Sequence, residues 1–558
     1  MKKLGVIFAI LLIGGCSYFK KSTLNEKSDT TIVSGQLTLI QKLPSANFAN
    51  NQRIVPLTLG FGSGAYHRPG DPDNIFYTVT DRGPNIACIE SETILGLKEF
   101  CGKGHDMNKI FPLADFTPLI VKHEIHVEDG KLLSTAVESI ALKDSNGKKI
   151  TGLTNNLKST NTEMSFGIDG KRLPWDNNGL DTEAIVRLND NTYWLTEEYG
   201  PSLLHVSTDG TILQRVVPES VAKDLQDANY PVNGLLPDIY KTRTLNRGIE
   251  SLAISPEENY LYFIMQSPLS NPDTNTFSAS RTVRMMKYAL KNGELGNALG
   301  EYTYIMDTPQ TFCDLTGDVP QGDHLNGTAY GQSLVKISEM VAVGEDDLII
   351  LERISKVTKL YRVHLSTGDN ILGTPISSIG EEEAGTHKTL EQIWDLSSVN
   401  ATPVRKVIAY NSLTDHTVGI NLPSKIEGIA LLNQKQVLLI NDNDFGISGQ
   451  ETIATILPIA ERLTTAETRA DHKPQMTLIG RYSTGLFDQG SSEIVTYHPE
   501  SKRIFTVNAE EKTVDVLDAS GLNGQALTDP YRSVNMKKLT SIKLERVKNP
   551  PPEGVALE

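Results

Sequence analysis

An all-β fold is predicted from this sequence: a β-propeller of six four-stranded antiparallel blades with loop insertions. Three observations predict it. A unit built from an acidic residue, a short apolar strand, a turn and a second apolar strand recurs along the chain. Helical periodicity is weak throughout. The 44 Gly and 27 Pro of the 558 residues sit at turns, as many short strands require.

The chain opens on Lys2-Lys3, an apolar run from Leu4 to Ile13, and Ile13-Gly14-Gly15-Cys16. This reads as a lipoprotein signal peptide (residues 1–15) cut before Cys16, which would carry lipid; an ordinary signal peptide is the alternative. Ser17 stands where an Asp would favour inner-membrane retention, so the expected place is the outer membrane, facing periplasm or cell surface. Residues 16–50 are polar and read as a tether. Beyond the N-terminus no apolar run is long enough to cross a membrane as a helix.

The repeat follows in a domain expected over 51–455. Units begin at Ser63, Glu183, Glu250, Glu339, Glu427 and Glu493. These starts lie further apart than the roughly 40–50 residues of a blade, so the blades carry insertions, and the interval from 63 to 183 could hold two. Pro218 to Leu225 and Glu461 to Thr468 are expected as short helical insertions. Residues 456–558 are an extra blade or the start of a second propeller. The last unit, from Pro552-Glu553-Gly554, lacks its second strand. That suggests a truncated reading, or a strand added to another sheet.

Each unit is a hairpin, so the start of its first strand lies beside the end of its second. Glu183 is therefore expected near Glu197 and Glu198, Glu339 near Glu352, and Glu427 near Asp442. If these are inner strands, the acids gather at one mouth of a central channel.

Charge and composition exclude several functions. Lys and Arg total 53 against 68 Asp and Glu, a net charge of −15. Nucleic acid is thus not an expected partner, whereas an acidic surface can collect divalent cations. Cys88 and Cys101 close a short loop and are the plausible disulfide of an exported protein, leaving Cys313 as a buried apolar residue. No GxSxG, HExxH, Walker A or GxGxxG motif occurs. His123 and His126 fall on opposite faces of a probable strand and read as surface residues.

What remains is carboxylates, arginines and amides at strand ends. Oxygen-rich clusters suit calcium. The candidate metal ligands are Glu183, Glu197, Glu198, Glu427, Asp442 and Asp444. Three acids as close as Glu183, Glu197 and Glu198 repel, and burial would raise their pKa values unless a cation or an arginine neutralises them. Arg82, Arg247 and Arg353 have the fork geometry for a carboxylate or phosphate; salt bridges to the neighbouring acids are an equally open reading. Tyr199 joins them as a candidate substrate contact.

Asp81-Arg-Gly-Pro84, Asp181-Thr-Glu-Ala-Ile185, Glu197-Glu-Tyr-Gly-Pro-Ser202, Asn246-Arg-Gly-Ile-Glu250, Gln266-Ser-Pro-Leu269, Leu351-Glu-Arg353, Glu427-Gly-Ile-Ala430 and Asn441-Asp-Asn-Asp-Phe-Gly446 together resemble the phytase-like family, often labelled "esterase-like activity of phytase". The resemblance runs from about 55 to 450. It implies an exported propeller that hydrolyses phosphate or other esters with the assistance of calcium; no single nucleophile comes with it. The stretch from Thr484 to Val495 and on to Asp518 resembles the opening of a choice-of-anchor I propeller.

Three functions follow as expectations. The first is a lipid-anchored, calcium-dependent phosphoester hydrolase acting on a small anionic substrate. In it Arg82, Arg247 and Arg353 hold the substrate and stabilise charge, and Glu250 is the general base. The second is a calcium-dependent esterase or lactonase, favoured by the amides of Asn246, Asn441 and Asn443. The third is a non-catalytic surface propeller whose calcium is structural.

Overall fold

A computed structural model describes residues 32–37, 42–49, 51–312, 331–378, 388–415, 422–465, 478–484, 494–522, 527 and 534–544. Cys16 with the signal peptide, Cys313, Glu493 and the 552–558 stretch lie outside the described residues. The chain divides into two compact units, one within Tyr18–Ala470 and one within Asp471–Glu558.

The larger unit is a propeller. Its five sheets begin with the strands Gly64–Tyr66, Thr182–Arg187, Ile249–Ile254, Lys336–Gly344 and Ile426–Leu431. These first strands pack one against the next, and the fifth packs back on the first, so the ring closes with five blades. They are buried along nearly their whole length. Apolar runs such as Ala184-Ile185-Val186 and Leu252-Ala253-Ile254 suit strands covered on both faces.

The first blade continues through Ile75–Val79, Leu119–Glu128 and Lys131–Ala141. Only this blade occupies the long interval after residue 63. The rest is an insertion, in which Ile86–Ala87, Lys109–Ile110 and Ser165–Phe166 form a small sheet over a separate apolar core. The second blade gains a fifth strand, Val232–Leu236, parallel to Ile212–Pro218. Between these two strands lies the expected helix, Glu219–Asp224. A second helix, Ala460–Thr465, covers the described part of the other predicted helical stretch.

The fifth blade is completed by a strand from the other end of the chain. Within the stretch read as a tether, Val33–Gln36 pairs antiparallel with Ile453–Leu457 as its outer strand. The count of six blades included the unit at 493. That sheet, Val495–His498, Arg503–Asn508, Thr513–Asp518 and Lys537–Lys543, belongs to the smaller unit.

Cys88 and Cys101 are disulfide-bonded. Both are buried in the insertion's core. Replacing the pair by serine is expected to cost about 3 kcal/mol, the value for closing a loop of this length. Denaturant unfolding with and without reductant measures it, and equal midpoints would refute it.

His123 corrects the surface reading. It does lie on the face opposite the exposed His126, but it is fully buried between Phe61 and Phe76, its Nε2 2.9 Å from Thr78 Oγ1. Burial brings its pKa down to about 3.

Candidate active site

Four of the five inner strands carry a register shift at their first residues, between Thr182 and Ile185, Ile249 and Ser251, Ile337 and Glu339, and Ile426 and Gly428. Such β-bulges re-aim a side chain. The residues they set out of the ladder include Glu183, Glu250, Ser338 and Glu427. The hairpins then place the ends of the second strands beside them, with Thr182 opposite Glu197 and Ile426 opposite Asn441.

In the second blade this brings Asp181, Glu183 and Glu198 together. All three are buried, and one carboxylate oxygen from each lies within 4.8 Å of the others. The Glu198 amide donates to the Asp181 carbonyl at 2.9 Å, closing the hairpin end. Glu198 Oε1 is buried and has no hydrogen-bond partner among the described residues. Burial raises the pKa of all three acids. Asp181 reaches about 6, Arg82 partly opposing the shift. Glu183 is held well above the carboxylate range by burial, then by Asp181 and Glu198; Glu198 by burial, then by Glu250 and Asp181.

This set fits a hard divalent cation. Calcium takes carboxylate oxygens at about 2.3–2.6 Å, and oxygens sharing one ion lie within about twice that distance of each other. An ion would also satisfy the orphaned Glu198 oxygen and compensate the burial that lifts the three pKa values.

The neighbouring Glu197 does something else. It is wholly buried, and its oxygens accept from the amides of Asp181, Tyr199 and Gly200, from Ser202 Oγ at 3.0 Å and from Arg215 Nη2 at 2.9 Å. Every oxygen is engaged, so Glu197 braces the hairpin end and is no metal ligand. Asp444 likewise bonds Lys425 Nζ. Asp442 accepts from the Asp444 amide at 3.0 Å and has Lys425 Nζ 3.9 Å from its Oδ2. Glu427 is paired with Arg353.

Arg82 and Tyr199 also depart from the substrate role read for them. Arg82 is 2% exposed, lies over the rings of Phe111 and Tyr199 at 5.0 Å, and bonds Glu163 Oε1 at 2.8 Å and the Gly152 carbonyl at 3.1 Å. Its Nη1 is 3.3 Å from Asp181 Oδ2. It holds Asp181 in place. Tyr199 is 2% exposed, and its hydroxyl accepts from the Glu163 amide at 2.7 Å.

Beside the triplet, on the third and fourth blades, stand Glu250, Arg247, Lys336 and Arg353. Glu250 accepts from Gln266 Nε2 and, at 3.0 Å, from Ser338 Oγ. Ser338 in turn accepts from Arg353 Nε at 2.9 Å. Arg247 donates to Gln266 Oε1 at 3.3 Å.

A family model described as phytase-like, esterase-like activity of phytase, matches residues 58–445, more than half of the chain. The chain belongs to the phytase-like family. A protein of Arthroderma benhamiae described as an uncharacterized secreted protein is 26% identical over 202 residues, which are 32% of this chain and 38% of that one. The match thus spans well under half of that relative. Among solved structures, the calcium-binding protein regucalcin from Agrobacterium tumefaciens is 11% identical with a TM-score of 0.26, covering 72% of this chain and 91% of that one. The Pseudomonas aeruginosa periplasmic gluconolactonase is 10% identical with a TM-score of 0.22, covering 92% and 96%. Likenesses of this size bear on neither activity nor substrate.

Within the phytase-like domain, sequence reasoning grouped Glu339 with the mouth acids. The structure separates it. The bulged residue of the fourth blade is Ser338, so Glu339 turns into the ring. There its Oε1 accepts from Met340 N at 3.0 Å and from Leu252 N of the third blade at 3.4 Å. Its expected partner Glu352 faces away, bonding Tyr304, the Asp307 amide and Lys406. A Cβ on Gly64 of the first blade would stand 3.1 Å from Glu339 Oε2 and 2.4 Å from the Glu183 carbonyl oxygen. Gly64→Ala is therefore expected to push the inner strands apart at a cost of about 1–3 kcal/mol, the usual price of overpacking. An unchanged melting temperature would count against this closeness.

Three members of the candidate site were missed by sequence: Asp181 in the acidic triplet, Arg215 as the partner of Glu197, and Lys336. Asp181 sat inside a quoted motif, two residues before Glu183, and that spacing was the available signal. A described cavity of about 70 Å³ lies toward the far ends of the inner strands, lined by Ala65, Leu252, Met340 and Ile429, and holds none of these groups.

Proposed function

We propose that this protein is an exported, calcium-dependent hydrolase of ester bonds, acting on phosphoesters at the acidic mouth of its channel. The observation that carries the reading is the buried triplet Asp181, Glu183 and Glu198 with its unpartnered oxygen, facing a cationic half of the same mouth. The three acids would hold calcium, which when bound polarises a substrate oxygen and acidifies water as a Lewis acid. Arg82 and the Glu197–Arg215 pair fix the ligands. Arg247 orients an anionic substrate and offsets developing negative charge, with Arg353, tied to Glu427 and Ser338, adding positive charge behind it. Glu250, bridged between Gln266 and Ser338, is placed to take a proton from the attacking water.

The lactonase alternative drew on the amides of Asn246, Asn441 and Asn443, and the last two are engaged within the fold. Asn441 donates to the carbonyls of Asp442 and Glu451 and accepts from Ile453 N. Asn443 donates to Thr58 and Gln450 and accepts from Phe445 N. Export is supported by the N-terminal signal pattern and by the secreted fungal relative. Lipid attachment at Cys16 and an outer-membrane location are part of the proposal.

The test is phosphate release from phytate and from an aryl phosphate, using protein that starts after Cys16, with calcium and with a chelator. Calcium-dependent release is expected, falling on the order of a hundredfold in Glu198→Gln. No release from folded protein that calcium still stabilises would overturn the hydrolase and leave a calcium-stabilised binding propeller.

A further inference from the structure

The cationic half of the mouth holds more charge than it has partners. Arg353 is bound to Glu427. Lys336 opens the same blade's inner strand and lies directly opposite Arg353 in the ladder. Like charges at such a pair of positions are unfavourable. Arg247, just before the third blade's inner strand, has Gln266 as its hydrogen-bonding partner and the Phe277 ring at 6.0 Å. Both Lys336 and Arg247 are half-buried. Among the described residues, neither has a carboxylate within ion-pair distance, while the nearby acids are engaged elsewhere. Glu250 is held by Gln266 and Ser338, Glu427 by Arg353, and Glu198 belongs to the metal triplet.

A protein does not crowd three cations at a partly dry mouth without cost. An incoming oxyanion would offset it, since charge-assisted bonds to guanidinium and ammonium groups are the strong ones. The crowding is visible in Lys336 itself, brought down to about 8 by burial and by Arg247 and Arg353, with Glu250 and Glu427 opposing.

We propose that Lys336 and Arg247 jointly bind a small oxyanionic group of the substrate, with Arg353, fixed by Glu427 and Ser338, positioned behind them. The inference rests on the hydrolase reading only in assigning that group to a substrate. Phosphate and carboxylate share this chemistry, and the test separates them.

The full chain, in chelator, is titrated with inorganic phosphate, with acetate, and with chloride at matched ionic strength. Melting temperature and calorimetry are the readouts. Phosphate is expected to bind and to raise the melting temperature. Lys336→Gln and Arg247→Gln should each weaken it about tenfold, the effect of one charged hydrogen bond, and Lys336→Arg should retain most of it. Without anion, Lys336→Gln should melt no lower than the parent, because it removes an unpaired charge. Acetate matching phosphate would support the site with a carboxylate as its ligand. No shift beyond chloride, or phosphate binding unchanged in Lys336→Gln, would overturn it. Phosphate binding that depends on Lys336 in a protein with no hydrolytic activity would sustain this inference and sink the hydrolase reading. Hydrolysis unaffected by Lys336→Gln would do the reverse.

Discussion

Glu197→Gln and Glu198→Gln, the same substitution at adjacent residues, are expected to have opposite effects. Glu197 compensates Arg215, and both are wholly buried. Arg215 Nε also bonds Ser202 Oγ, and Nη2 bonds Asn155 Oδ1 and the Gly200 carbonyl, so the guanidinium cannot move to water. Removing one partner of such a pair leaves a buried charge and costs about 3–5 kcal/mol. Glu198→Gln removes one of three carboxyls whose pKa values burial raises, and puts a neutral amide where an oxygen has no partner. The chelated protein should then melt at or above the parent temperature, while the calcium-induced rise disappears. Thermal melts of both variants, with calcium and with chelator, decide the matter. Equal destabilisation by the two substitutions would mean that Glu198 is another brace and not a ligand.

Calcium affinity is expected to climb steeply with pH through about 6. The sign follows from the direction of the shifts. Asp181, at about 6, and Glu183 and Glu198, held higher by burial, bind more protons folded than unfolded. In chelator, their contribution to stability is therefore fullest at low pH and is lost as pH rises from the unfolded values through the folded ones. Calcium must displace those protons, so its affinity gains about tenfold per pH unit for each proton released. Calorimetry at about pH 5.5 and about pH 6.5, in buffers of different ionisation heat, reports both quantities. An affinity independent of pH, or proton release undiminished in Glu198→Gln, would defeat the assignment.

The hairpin repeat and the gathering of acids at one mouth were legible in the sequence, because apolar alternation and turn residues are local signals. The partner of each acid was not. Glu197 and Glu198 are adjacent glutamates in sequence; only the position of Arg215, two strands away, distinguishes brace from ligand. Glu339 was grouped with Glu183, Glu250 and Glu427 because it too opens an apolar run. A bulge at Ser338 shifts the period by one residue, and a one-residue slip turns a side chain to the other face. Lys336 carried no motif at all. Its role emerges from the charges that three blades bring around it. The blade count failed for a similar reason: repeat spacing reports how many units exist, not which of them share a ring.

The pairing of Val33 with Ile456 sets the order in which this domain can form. The first four blades are each continuous in sequence and can form as their own strands meet. The fifth needs a strand more than 400 residues earlier, so its completion waits on the slowest kind of contact, one that pays the entropy of closing a very long loop. Until then the free edge of Ile453–Leu457 stays unpaired, and unpaired strand edges recruit other chains. Folding of this protein is thus expected to be most vulnerable to aggregation at its last step, when four blades are already built and the N-terminal strand has not yet returned.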